Sequence, residues 1–344
     1  MRRLVSVVVL NWNGKDHLKT CLSSLSKVPY RPLELIVVDN NSSDGSVEMV
    51  KEIFPNVKVI QNKKNLGYAG GNNIGIKKSK GEYIFVLNND TEVDKDFLNP
   101  LVDDMDSDKN IVCVQPKLVY ATAQDILNAV GSFFTSSGFL YHYGYRKSAK
   151  LPQYQKKLLI YTAKGAAMLF RKSALDKVGL FDEDFFIFFE ETDLCHRLWL
   201  SGYKVMYEPK SIVYHFEAVD TGRQMGDYTR NYLSLRNRIC SYLKNLEMPN
   251  FLGVLGMLFI IYSGYFIYYS LRLRFDLSMT VPSSIIWNII QLPNTLKKRY
   301  NIQSKIRKLK DADLFKTIKK DPPLRYYYYL FFDNLKNFQN EKVI

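Results

Sequence analysis

The stretch GEYIFVLNNDTEVDKDFL, residues 81–98, decides how this chain reads. Tyr83, Ile84, Phe85, Val86 and Leu87 are aromatic or aliphatic residues that favour a strand. The run stops on Asn88, Asn89 and Asp90, three polar residues that pack poorly in a core. A strand-end turn accounts for the triplet, since Asn and Asp are good turn residues. A ligand site at the carboxyl end of a strand accounts for it equally well. The surrounding sequence has to decide.

Upstream, strands alternate with helices. LVSVVVLNW is an apolar run of strand length, and GKDHLKTCLSSLSKV carries Leu18, Cys21, Leu22 and Leu25 at helical spacing. LELIVVDNNSSDGS reads as a second strand, SVEMVKEIF as a helix, VKVIQNKKN as a third strand, and GYAGGNNIGIKKSK as another helix. This alternation predicts an α/β fold with a mostly parallel central sheet and helices on both faces. Three strands end on polar clusters: Asn11-Trp12-Asn13, Asp39-Asn40-Asn41 and Asn88-Asn89-Asp90. One such end is a turn, whereas three on one sheet edge predict a binding crevice.

The chain has 344 residues and a net charge of +14, from 48 Lys+Arg against 34 Asp+Glu. Such a charge suits nucleic acid, an anionic membrane or phosphorylated substrates. The basic residues crowd beside apolar runs, which argues against nucleic acid. Cys21, Cys113, Cys195 and Cys240 are far apart and form no CxxC pair, so neither a zinc cage nor a disulfide framework is expected. A reducing compartment fits. The opening MRRLVSVVVLNWNG resembles a signal peptide only superficially, because Asn11 and Asn13 break a short apolar run.

Residues 115–245 are harder to read. KGAAMLFRKSALDKVG suggests a strand and then a helix closed by Gly179, and DEDFFIFFEETDLCHRLWLSGYKV places an acidic cluster at a helix start that Gly202 ends. After residue 245 the composition shifts, which predicts an α/β domain over 1–245 and a membrane-associated helical region over 246–344. Residues 251–271 carry no charge and are long enough to cross a bilayer. Residues 277–296 are also uncharged, but Pro282, Pro293 and several amides make them a poor spanning helix. Basic residues flank both stretches, and a single crossing would strand some of them on the wrong side. The expectation is monotopic attachment at the cytoplasmic face of the membrane, with basic residues 297–320 on anionic head groups. RYYYYLFF suits either an interfacial anchor or a core contact.

The polar strand ends suit a nucleotide. Asp39 can accept a hydrogen bond from a base N–H. NLGYAGGNNIG, with Asn65, Gly67, Gly70 and Asn72, can bring backbone N–H groups to a diphosphate or can be simple turn geometry. It lacks the GK[ST] ending and the GxGxxG frame of the common nucleotide loops. Asn88 and Asp90 could share a Mg2+ or Mn2+ ion with substrate phosphates, less tightly than two carboxylates would. Glu190, Glu191 and Asp193 lie within four residues; they can cap a helix, or their mutual repulsion can raise a pKa into a general base's range. His215 is either structural or a metal ligand. Arg236 and Arg238 offer guanidinium groups to a phosphate or form a basic face.

Taken together, VSVVVLNWNG, ELIVVDNNSSDGS, NLGYAGGNNIG, YIFVLNNDTEVD, the long stretch from KGAAMLF to SGYKV, and YLSLRNRI resemble family 2 glycosyltransferases of the GT-A fold, in their rhamnosyltransferase-like branch. The resemblance covers roughly residues 4–245. It implies that Asp39 contacts the nucleotide base, with Asn11, Asn13 and Asn89 beside the donor. It puts Asn88-Asn89-Asp90 at the family's metal-binding Asp-x-Asp position and the catalytic base at Glu191 of the Glu190-Glu191 pair. Gly165 joins Arg236 and Arg238 near phosphate or acceptor. The implied reaction is an inverting transfer from dTDP-rhamnose or a UDP-sugar to a glycan or lipid-linked acceptor. Asn88 replaces the first Asp, so a catalytically impaired nucleotide-sugar-binding scaffold is the alternative.

Overall fold

The computed structural model describes residues 2–217, 219–332, 335–338 and 341. The first half runs β1 (Val5–Asn11), α1 (Lys15–Ser26), β2 (Leu33–Asp39), α2 (Ser46–Ile53), β3 (Lys58–Gln61), α3 (Gly67–Lys78), β4 (Tyr83–Asn88), β5 (Thr91–Val93), α4 (Leu98–Ser107) and β6 (Ile111–Tyr120). Next come β7 (Ala123–Ala129), β8 (Gly131–Phe133), β9 (Tyr141–Tyr143), β10 (Leu158–Leu159), β11 (Ala167–Arg171), α5 (Lys172–Val178), α6 (Glu190–Leu200) and β12 (Lys204–His215). Helices α7 (Val219–Asn245), α8 (Met248–Leu271), α9 (Phe275–Ser278), α10 (Thr280–Ile290), α11 (Leu292–Asn301), α12 (Asp311–Ile318) and α13 (Leu324–Phe331) complete the chain. Gly226, at φ 70°, breaks α7.

The main sheet is mixed, in the order β10-β12-β6-β11-β4-β1-β2-β3. Strands β3, β2, β1 and β4 are parallel, as the strand–helix alternation predicts. Strand β11 enters antiparallel between β4 and β6. Val5, Val7 and Val9 face a core layer shared with α1 and α4, while Val8 faces the layer of α3, α5 and α6. Burial on both faces explains why these strands read as continuous apolar runs. Helix α1 buries Leu18, Cys21, Leu22 and Leu25, the face its spacing marked. Helix α3 needs Gly75 to approach β1, because a Cβ there would lie 2.3 Å from Val8 Cγ1. Register pairs Asn11 with Asp39 and Leu10 with Asn88, so the three polar strand ends meet on one edge. The four cysteines are free and buried.

The C-terminal helices fold back onto this body. Helix α8 buries Phe251, Val254, Leu258 and Tyr262 but exposes Leu252, Phe259, Ile260 and Ile267. Among the described residues it alone is long and apolar enough to cross a membrane. The uncharged stretch after it is split into α10 and α11, with Pro293 in the first turn of α11. Phe134 exchanges backbone hydrogen bonds with the chain at Ile318 and Lys320. RYYYYLFF divides between both expectations: Tyr326 is buried and donates to Leu140 O at 3.0 Å, whereas Leu324, Tyr328 and Phe332 are exposed. The basic segment is less free than the sequence suggests. Lys298 pairs with Asp182 and Asp184 at 2.5 and 2.7 Å, and Arg307 with Asp311 at 2.9 Å. Lys297, Lys305, Lys308, Lys310 and Lys316 remain exposed.

Candidate active site

The edge where β4, β1 and β2 end forms a crevice of about 250 Å³, lined by Trp12, Asn40, Asn65, Tyr68, Asn88 and Asp90 among others. Asn89 and Gly67 also reach it, and Phe186 and Ile187 close it from the opposite side. Beneath it lies a polar brace. The buried Asp39 carboxylate accepts from Asn11 Nδ2 at 3.1 Å, from the Ser42 backbone N–H at 2.9 Å and from Ser42 Oγ at 2.5 Å. Asn13 Oδ1 accepts from the Ser43 backbone N–H at 2.8 Å, and Asn89 Nδ2 donates to Asn11 Oδ1 at 2.7 Å. Asn11, Asn13 and Asp39 thus tie the first two strand ends together, and Asn40, the next residue, lines the crevice.

The glycine-rich segment shapes the same wall. Gly67 sits at φ 69°, and a Cβ there would lie 2.4 Å from Phe186 O. Asn65 Oδ1 accepts from the Gly67 N–H at 2.8 Å, and Phe186 O accepts from the Ala69 N–H at 3.1 Å. Two N–H groups expected to face a diphosphate are therefore engaged within the protein. Gly70 packs against Leu66, and Asn72 is fully buried, donating to Tyr68 O.

Asp90 and His215 come together from the turn after β4 and the end of β12, with His215 Nε2 3.4 Å from Asp90 Oδ2. Asn128 Oδ1 lies 2.7 Å from Lys164 Nζ and 3.1 Å from His215 Nδ1. That oxygen can only accept, so Nδ1 carries a proton and Nε2 is the ring nitrogen that faces Asp90. Two neighbouring ligands of an octahedral ion stand roughly 3 Å apart at metal–ligand distances near 2.1 Å. One imidazole and one carboxylate fit a divalent ion that also takes phosphate oxygens. Among the described residues no group of three or more His, Cys, Asp or Glu forms a fuller metal cluster.

Glu191 opens α6 and lines a second cavity of about 720 Å³ with Asn128, His142, Tyr145, Thr162 and Lys164. Burial raises its pKa, and the N–H groups of Glu191 and Thr192 with the Lys164 ammonium limit the rise to about 6. Burial therefore leads, not the repulsion that the acidic cluster suggested. Burial followed by the Glu191 charge pushes Glu190 well above the carboxylate range. Asp193 has a different role: its carboxylate meets Arg197 at 3.1 Å and Lys244 at 3.0 Å, and Asn245 Nδ2 at 2.8 Å. Burial alone would raise its pKa, but Lys244 and Arg197 outweigh burial and hold it below the usual range. Asp193 lines a separate cavity with Arg197 and Lys244.

The three residues 236–238 of α7 do three different things. Arg236 donates to Asp184 O at 3.0 Å and stacks on Trp287, its Cζ 4.3 Å from the ring centroid. Asn237 Nδ2 donates to the carbonyls of Phe185, Ile187 and Phe188 at 3.0, 3.0 and 2.8 Å. These bonds hold the loop before α6, where Phe186, Phe188 and Phe189 adopt positive φ. Arg238 reaches a further cavity. Gly165 O accepts from the Tyr68 hydroxyl at 2.5 Å, beside Lys164. Lys164, Asn128 and His142 had no role in the sequence reading, and Trp12 entered it only as part of a polar strand end. Lys164 stands one residue before Gly165 in a quoted motif, which was the available signal.

A sheet with a crevice at its strand ends, next to a partly buried carboxylate in an adjoining cavity, defines a glycosyltransferase of GT-A architecture. Residues 6–179 match the family model described as Glycosyl transferase family 2, and the chain belongs to that family. Among curated relatives, it is 27% identical over 248 residues to the N-acetylglucosaminyl-diphospho-decaprenol L-rhamnosyltransferase of Mycobacterium tuberculosis, covering 65% of this chain and 79% of that protein. It is 26% identical over 242 residues to the low-salt glycan biosynthesis hexosyltransferase Agl10 of Haloferax volcanii, covering 68% and 74%. Among solved structures, the mannosyltransferase PcManGT of Pyrobaculum calidifontis, in complex with GDP-Man and Mn2+, superposes with a TM-score of 0.52 at 15% identity, over 84% of this chain and 88% of that one. GalNAc-T7, with UDP, GalNAc and Mn2+, gives 0.55 at 21% identity over 64% of this chain, which spans less than half of it, 44%.

Proposed function

We propose that this glycosyltransferase moves rhamnose or a related sugar, with inversion, from a nucleoside diphosphate such as dTDP or UDP to a lipid-linked saccharide at the cytoplasmic membrane face. The observation that carries the reading is Glu191, a partly buried carboxylate with its pKa raised to about 6, beside the donor crevice. Such a group is ionised at neutral pH and basic enough to take a hydroxyl proton. Trp12 and Phe186 give the crevice aromatic walls for a base. Asp90 and His215 would hold a divalent ion with the donor diphosphate, and bound there the ion would offset charge on the leaving group. The acceptor hydroxyl proton passes to Glu191 as its oxygen bonds to the anomeric carbon. The bond from that carbon to the diphosphate breaks, and the nucleoside diphosphate leaves.

The rhamnosyltransferase relative supports a lipid-linked acceptor by its printed name. The C-terminal helices support a membrane. We assign the transferase domain to residues 1–245 and the membrane-associated region to 246–344. Helix α8 keeps Phe251, Val254, Leu258 and Tyr262 against the protein along one face, while Leu252, Phe259, Ile260 and Ile267 stay exposed. That one-sided packing supports monotopic attachment through the exposed apolar side. The test incubates purified protein with a panel of nucleotide sugars and a membrane-lipid extract and reads products by mass spectrometry. Sugar transfer supports the reading. Donor binding without transfer or hydrolysis would instead make the protein a nucleotide-sugar-binding scaffold.

A further inference from the structure

Arg238 is buried among aromatic side chains. Its Cζ lies 4.0 Å from the Phe139 ring centroid and 5.3 Å from that of Phe189, and Nη1 donates to the Tyr262 hydroxyl at 3.5 Å. Only 8% of the residue is exposed, and its Nε is a buried donor with no hydrogen-bond partner among the described residues. The rings offset part of the cost of this charge. A buried cation with one N–H unpaired still carries a desolvation cost that an anion close to the guanidinium would offset. The contrast with Arg236, whose head group is fully engaged, singles out Arg238.

The side chain lines a cavity of about 300 Å³ between α7, α8 and α13, with Asn231, Ser234 and Tyr265. Leu140, His142 and Leu330 line both this cavity and the one holding Glu191, so the two share a wall. Ile261 and Phe331 add an apolar lining, and Phe259 and Ile260, which precede Ile261 on α8, are exposed. An occupant would therefore have a sugar towards Glu191, an anion at Arg238 and an apolar chain towards the outer face of α8.

We propose that this cavity binds the diphosphate of a polyprenyl-diphosphate-linked acceptor, with Arg238 as its cationic contact. The proposal rests on the lipid-linked acceptor reading above. It is tested with two synthetic acceptors of identical sugar and alkyl chain, one joined through a diphosphate and one by a direct glycosidic bond. The wild-type KM for the diphosphate acceptor should be lower by roughly 10- to 100-fold, the range of one charge-assisted hydrogen bond. Arg238→Gln should abolish that preference, and Arg238→Lys should keep part of it. Equal KM values in the wild type, or a preference that survives Arg238→Gln, would overturn the proposal.

Should Arg238→Gln fail to fold, calorimetric titration of the wild type with dodecyl diphosphate in detergent decides. Saturable binding that competes with the acceptor supports the site, and no binding overturns it. Equal competition by phosphatidylglycerol would assign the cavity to ordinary lipid head groups and overturn the diphosphate assignment. Failure of the underlying functional reading looks different: the wild type then glycosylates neither acceptor with any donor, and the titration still reads the cavity.

Discussion

Replacing Glu191 by Gln should make the protein more stable and nearly inactive. Folding raises the Glu191 pKa from 4.5 to about 6. A raised carboxyl pKa means that the fold favours the neutral form. Its stabilising contribution is present below pH 4.5 and is lost as pH rises through 6. At about 1.4 kcal/mol per pKa unit the loss approaches 2 kcal/mol, and partial exposure reduces it to roughly 1 kcal/mol. Gln is neutral at every pH, so the variant escapes that loss. At pH 8 it should melt roughly 2 °C above wild type, and at pH 4 the two should coincide. Turnover should fall about a hundredfold or more, with nucleotide affinity little changed. The wild-type rate should also report the pKa: at pH 5 about one tenth of the plateau remains if the base titrates near 6, against about three quarters if it titrates near 4.5. Glu190 and Lys164 are the charged neighbours, and Lys164 holds the Glu191 pKa down. Lys164→Met should therefore move the acid limb to higher pH. Thermal melts and nucleoside diphosphate release across pH 4–9 make the measurement. A variant less stable than wild type at pH 8, or a rate that stays flat down to pH 5, would refute the assignment.

Asp90→Asn should weaken Mn2+-dependent nucleoside diphosphate binding at least tenfold by calorimetry, whereas Asn88→Asp should tighten it; no metal effect in the wild type would remove the ion from the site. Asn237→Ala strips three carbonyls of one shared donor and should cost about 2–3 kcal/mol in urea unfolding, with turnover falling more than donor affinity. An unchanged urea midpoint would show the loop to be self-supporting. Membranes washed in high salt should retain the protein, because burial of the α8 face at roughly 25 cal/mol per Å² is not screened. Glu at Phe259, Ile260 and Ile267 together should release it. Labelling of a cysteine at Arg274 from outside intact cells would show a crossing.

The donor edge was legible because its information is local. A parallel strand buried on both faces is an apolar run, and the residue that ends it is polar only where the sheet opens to a ligand or a turn. Leu18 through Leu25 and the closing Gly179 and Gly202 follow the same local rules of period and cap, and the glycines adopt φ of 82° and 86°. What the sequence could not distinguish was set by packing at long range. Asp193 and Glu191 are equivalent carboxylates in a string, yet Lys244, 51 residues beyond Asp193, takes one of them into an ion pair. Arg236 and Arg238 differ through Asp184 and Trp287 on one side and Phe139 on the other. The wall of the cavity that holds Glu191 comes in part from β7 to β9, short strands without clean alternation, and from Leu330, Phe332 and Leu335 at the far end of the chain. A tail that reads as membrane anchor in sequence also lines the cavity that holds Glu191.

On the proposed assignment, the loop between Phe185 and Glu190 holds donor and base in register. Phe186, Phe188 and Phe189 at φ 64°, 72° and 72° each carry strain of order 1–3 kcal/mol. Three bulky residues in that conformation persist only when their surroundings fix them. Asn237 binds three carbonyls of the loop from α7, and Phe186 O takes the Ala69 N–H from α3. Phe186 and Ile187 form one wall of the donor crevice, and Glu191 follows Phe189 within the first turn of α6. The same strained backbone therefore positions the nucleotide pocket and the carboxylate. Relaxing it to ordinary dihedrals would move both together, because no flexible segment separates them. Asn128 supplies a second tie, joining His215 beside Asp90 to Lys164 beside Glu191 through one amide oxygen. A transfer reaction needs the leaving group and the base on opposite sides of one carbon, and these two ties keep both at a fixed separation before any substrate arrives.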